Sequence, residues 1–149
     1  DLVYVTVINR FGTGTQTTAI YKDFGLNRGA LATTISHDSH NLTVVYRSPE
    51  EAYLAAEAMR KCGGGVCVAD GSEVTLLPLP VAGLMSQMVC SDVAEQIEAV
   101  QKKLDTMTDG TVSLLSASVM ALPVLPGVII TDRGLVDGLS QQFISQFEA

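Results

Sequence analysis

The chain has little with which to hold a nucleic acid or cross a membrane. Nine basic residues stand against sixteen acidic ones, for a formal charge of −7. It has no basic patch and no basic-aromatic interleaving, which argues against nucleic-acid polymers as partners. A free nucleobase carries no phosphate and stays open. No apolar run approaches bilayer-spanning length, so no membrane role is expected. Cysteine is scarce and odd in number. Cys62, Cys67 and Cys90 have no framework spacing, and they read as buried reduced thiols in a reducing, cytoplasmic setting. An initiator Met and a signal segment are also missing. Asp1 leads straight into the strand-like Leu2–Ile8, so the chain reads as a piece of a longer polypeptide.

Familiar catalytic signatures are missing as well. There is no His-x-Glu with Pro-Cys-x-x-Cys, no His-x-His and no His-Glu-x-x-His. Ser39 and Ser86 lie outside any Gly-x-Ser-x-Gly elbow, and serine chemistry is set aside. Gly63-Gly64-Gly65 follows a helix pattern and precedes a strand pattern. A phosphate cradle needs the opposite order, so the glycines read as a helix cap with a tight turn into the strand. The length of 149 residues is also well below the ~250 of a (β/α)₈ barrel.

What is present is one globular domain over residues 1–149, with 47% hydrophobic residues. Strands are expected over residues 2–8, near 18–21, and over 31–35, 42–46, 66–69, 73–77 and 128–130. Asp70-Gly71 reads as a hairpin turn. Ser48-Pro49-Glu50-Glu51 is a capping box that opens a helix to about Cys62. Ala52, Ala55, Ala56 and Met59 give that helix one small-residue face, suited to close packing on a sheet. A second helix is expected over about 92–107, with stripe Val93, Ile97, Val100 and Leu104 and a Glu98–Lys102 pair. A third is expected over 114–121. The expected fold is α/β in the α+β sense, a mixed, largely antiparallel sheet packed with helices.

The densest chemistry is His37-Asp38-Ser39-His40-Asn41, which holds both histidines of the chain. Each member can donate or accept a hydrogen bond, and three can bind a metal. In an extended segment His37 and His40 would face opposite ways. In a turn they share a face and could take one metal, with Asp38 as third ligand or orienting partner. The competing reading is a polar corner that satisfies backbone groups. Both stay open. The loop Leu79-Pro80-Val81-Ala82-Gly83-Leu84-Met85 is too apolar for a solvated loop. Leu79, Pro80, Gly83, Leu84 and Met85 are therefore expected to meet another domain or subunit.

Several stretches in order carry a resemblance. They are Phe24-Gly25-Leu26-Asn27-Arg28-Gly29-Ala30-Leu31-Ala32, the His37–Asn41 run, Gly63–Gly65, Leu77–Ser86, Ala121–Pro126 and Thr131-Asp132-Arg133-Gly134-Leu135-Val136-Asp137. Together they resemble the C-terminal domain of bacterial adenine deaminases of the amidohydrolase superfamily, from Asp1 to about Asp137. The resemblance implies hydrolysis of adenine to hypoxanthine and ammonia in purine salvage. It implies a manganese or iron centre in a separate barrel domain, whose ligands match nothing here. It also implies the barrel domain and adenine as partners, with a homo-oligomer expected. His37, Asp38, Ser39, His40, Asn41 and Arg28 are then candidates for facing the active site, and no catalytic residue is expected in this chain itself. One departure is Thr111–Leu115, where family members often carry a Pro-aromatic-Met stretch.

Overall fold

The structure is a computed structural model and describes residues 1–147. Six strands form one sheet: β1 (Leu2–Ile8), β2 (Gln16–Lys22), β3 (Ala30–Thr33), β4 (Leu42–Tyr46), β5 (Gly65–Asp70) and β6 (Glu73–Pro78). Their spatial order is β2-β1-β4-β3-β5-β6, and every pairing is antiparallel. The sheet expected to be largely antiparallel is wholly so.

Alternation along β1 shows how the layers arise. Val3, Val5 and Val7 are buried, while Leu2 and Tyr4 on the opposite face stay exposed. The central strands β3 and β4 are buried on both faces. On one side lies helix α1 (Pro49–Cys62), whose Ala55 and Met59 pack on Ala30, Ala32, Val44, Cys67 and Ala69. Small residues on both surfaces bring the helix close. Burial pushes the Cys67 thiol up to about 12, as expected of an inert core cysteine. Cys90 departs from the buried expectation, because it is exposed.

The opposite side carries helix α2 (Cys90–Thr108) and the short helix α3 (Leu114–Val119). Val100, Leu104 and Met107 of α2 meet Val3, Val5, Val7, Leu31, Val45 and Val68. Val93 and Ile97 continue the stripe at its margin. Glu98 and Lys102 form no ion pair among the described residues, so that expected contact is not made. A second antiparallel sheet, β7 (Val128–Thr131), β8 (Gly134–Asp137) and β9 (Gln142–Ile144), packs beside β2. Only its first strand is foreshadowed in the sequence. Among the described residues no helix is long and apolar enough to cross a membrane.

The boundaries follow local chemistry. Ser48 caps α1 by accepting from the Glu51 N–H, and Gly63 ends it in the left-handed region at φ 83°. Strand β3 stops at Thr33, two residues before the expected end, because the Thr33 hydroxyl accepts from the Ile35 N–H at 3.0 Å. That bond turns the chain out of the sheet.

Candidate functional site

Leaving β3, the backbone folds into a turn that returns as β4. The His40 N–H donates to the Ser36 carbonyl at 2.7 Å, closing the turn. The His37 N–H donates to the Ser118 carbonyl at 2.8 Å, so α3 supports the turn from below. Ser36 and Thr43 join their buried hydroxyls at 2.8 Å beneath it. The imidazoles of His37 and His40 meet edge to face, with centroids 5.2 Å apart. The turn thus realises the shared face that an i, i+3 spacing allows.

The members of the run differ in burial. Asp38 and Ser39 are exposed, His37 and His40 are half-buried, and Asn41 is buried. Asp38 makes no hydrogen bond to either imidazole among the described residues, so its expected orienting role is not realised. Among the described residues no group of three or more His, Cys, Asp or Glu is placed to hold a metal. Two imidazoles with no third donor fall short of the ligand sets that hold zinc or similar ions. Among the described residues the His37–His40 pair therefore stands as a polar corner with two imidazole donors. Of three buried side-chain polar atoms that lack a hydrogen-bond partner among the described residues, two, His40 Nδ1 and Asn41 Oδ1, lie in this corner. Buried polar atoms are nearly always paired, so two adjacent orphans mark this corner out.

The Pro80–Met85 loop comes to the same end of the sheet. Val81 and Met85 pair backbone to backbone. The Thr34 hydroxyl donates to the Gly83 carbonyl at 2.6 Å and accepts from the Gly65 N–H at 2.8 Å. It thereby ties the loop to the triple-glycine segment. Of the expected interface residues, Pro80 and Met85 are exposed and Leu84 is half-buried. Gly83 is buried against its own chain, and Leu79 lies in the core beside Val66 and Leu77. Leu79 is thus removed from the interface set, because the strand entering the loop carries it inward.

Arg28 goes elsewhere. It precedes β3, whereas His37 follows it, so the two lie at opposite ends of the sheet. Its guanidinium pairs with Asp70 at 3.1 Å, and Lys103 meets the same carboxylate at 3.0 Å. Hydrogen bonds from Lys103 and then Arg28 hold the Asp70 carboxyl below its usual range. This is an ion-pair network, apart from the histidines.

Sequence reasoning missed Arg10. Its Nε donates to the His40 carbonyl at 2.5 Å, and its Nη2 donates to the Ala82 carbonyl. Partial burial lowers its pKa. Its only signal is that it is the sole charged residue between Asn9 and Thr17. Arg10 also walls a cleft of about 440 Å³ with Ile8, Leu42, Met59 and Gly64, flanked by Tyr53 and Arg60. One end of the sheet therefore collects the histidine turn, the apolar loop and a cleft in the size range of small-ligand sites.

Known proteins share this chain's pattern. An adenine deaminase of Methanothrix thermoacetophila is 41% identical over 139 residues, covering 92% of this chain and 24% of that protein. One from Moorella thermoacetica is 40% identical over 147 residues, covering 97% and 25%. One from Escherichia coli O1:K1 / APEC is 39% identical over 143 residues, covering 93% and 24%. The chain thus spans about a quarter of the length of these curated relatives. The family model described as the adenine deaminase C-terminal domain matches residues 1–142, and this chain belongs to that family.

Proposed function

We propose that this chain is the accessory domain of a metal-dependent adenine deaminase, which converts adenine and water to hypoxanthine and ammonia. In this reading residues 1–149 form one domain, and catalysis belongs to a separate amidohydrolase barrel domain. Any manganese or iron lies there as well. The histidine pair here lacks the donors for such a centre, so no step of the reaction runs through a metal held by this chain.

One observation carries the placement. His40 Nδ1 and Asn41 Oδ1 are buried and, among the described residues, unpartnered, at the end of the sheet that also presents Pro80 and Met85. Leaving such groups unmade costs about 1–3 kcal/mol each. A structural turn gains nothing from that cost. A surface closing over a purine does, because a purine edge offers both donors and acceptors. We therefore place His37, His40 and Asn41 facing the barrel's active-site mouth, with Asp38 and Ser39 at the rim. The exposed Met85 and Pro80 dock beside them. This chain's contribution is to exclude water and supply hydrogen-bonding groups around the substrate.

The test is single replacement of His37 and His40 by Gln in the full-length protein. A fall in kcat/KM for adenine of about tenfold or more, at unchanged thermal stability, is expected. Unchanged kcat/KM would reduce the turn to scaffolding. A second reading, a non-catalytic structural or oligomerisation module, draws on exposed apolar side chains outside the histidine turn. Leu115, Val124, Leu139 and Phe143, all in the C-terminal third of the chain, are exposed at 69, 70, 80 and 61%.

A further inference from the structure

The geometry points to Arg10 as the positioning residue that sets the histidine turn against the Pro80–Met85 loop. This deepens the proposed function and rests on that reading. The two carbonyls that accept from Arg10 belong to His40 and Ala82. Both residues hold left-handed backbone, at φ 52° and 57°, which residues with a side chain adopt rarely. Such conformations persist only where the surroundings over-determine them. Here one planar guanidinium supplies the same restraint to both, through two donors fixed in a fork.

The fit around the guanidinium is close. A Cβ added at Gly83 would stand 2.8 to 2.9 Å from three guanidinium atoms. Gly83, itself at φ 73°, is therefore shaped to Arg10 as well as to its turn. The Phe11 ring lies 4.9 Å from Cζ. No carboxylate pairs with Arg10 among the described residues, so its charge is satisfied by the two carbonyls and the ring.

Arg10 is in turn held from the second sheet. The Asn9 side-chain carbonyl accepts from the Phe11 N–H at 2.9 Å, and its amide donates to Asp132 at 3.1 Å. The Thr15 hydroxyl donates to the same carboxylate oxygen at 2.5 Å. Asp132 thereby anchors both ends of the loop that carries Arg10. Three stretches far apart in sequence, at residues 37–41, 80–85 and 131–134, meet through Asn9 and Arg10.

The test uses the full-length enzyme with Arg10→Lys, which keeps the charge and loses the fork, and with Asp132→Asn, which loosens the anchor. Each is assayed for kcat/KM with adenine and for its melting temperature, alone and combined with His40→Gln. The His37 and His40 imidazole resonances are recorded in parallel. We expect Arg10→Lys to lower kcat/KM about ten- to a hundredfold and to add little to His40→Gln, because both act through one turn. The imidazole resonances should move, and Asp132→Asn should shift them in the same sense. Full activity with unmoved resonances in Arg10→Lys would overturn the assignment, as would fully multiplicative losses in the double variant. If Arg10→Lys does not fold, Asp132→Asn decides by the same readings. If the histidine variants themselves keep full kcat/KM, it is the functional reading that fails. The resonances then decide Arg10 alone, and unmoved resonances count against it.

Discussion

Single residues divide here into those that hold the fold and those that shape one end of it. Asp70 belongs to the first group. It accepts from Arg28 and Lys103, and its carboxyl sits below the usual range. A depressed carboxyl contributes its full stability above its unfolded value of about 3.9. The contribution is lost as pH falls through the lower folded value. Asp70→Asn should therefore lower stability at neutral pH by about 1 kcal/mol or less. It should also flatten the acid limb below about pH 4. Urea unfolding at several pH values reads both effects, and an unchanged acid limb would argue against the pairing. His40 and Asn41 belong to the second group, because their buried polar atoms find nothing to bond among the described residues. The sequence marked them correctly as polar and clustered. It could not rank Asp38 against Asn41, because burial depends on how the turn closes through Ser36 and Ser118.

Elements were legible where local chemistry decides them. The capping box at Ser48–Glu51, the left-handed Gly63 and the Asp70-Gly71 hairpin stand where the residues put them. The strand expected over residues 2–8 buries Val3, Val5 and Val7 on one face. Strands β8 and β9 were not legible. Gly134–Asp137 is short, and each of its residues is half-buried, so no period stands out. The resemblance groups Arg28 with the histidines, yet β3 separates them, since a strand's two ends look adjacent in sequence. The triple glycine offers a prediction at this scale. A Cβ on Gly64 would lie 2.6 Å from the Gly83 Cα and 2.8 Å from the Thr34 hydroxyl, at φ 120°. Gly64→Ala should cost about 3 kcal/mol, from backbone strain together with overpacking. Gly12→Ala, at φ 91° with open space around it, should cost about 1–2 kcal/mol from strain alone. Equal losses on chemical denaturation would mean that the Gly64 segment is not pressed against the Pro80–Met85 loop.

At the scale of the molecule, a sheet with helices on both faces carries its unusual chemistry at one end. The histidine turn, the Arg10 fork and the cleft meet there, while the Arg28–Asp70–Lys103 network closes the other end. The chain spans about a quarter of its relatives' length and assembles no metal-holding cluster among its described residues. The purified chain should therefore form no hypoxanthine from adenine above a His37→Ala/His40→Ala control. Production above that control would place the chemistry within this domain.

The central claim is that the histidine end faces the substrate in the intact enzyme. Hydrogen–deuterium exchange of the full-length protein, with and without adenine, tests it most directly. The account predicts slower exchange with adenine at residues 36–42 and 81–85, and unchanged exchange around Arg28, Asp70 and Lys103. Unchanged exchange across the histidine turn, or protection confined to the Arg28 end, would contradict it.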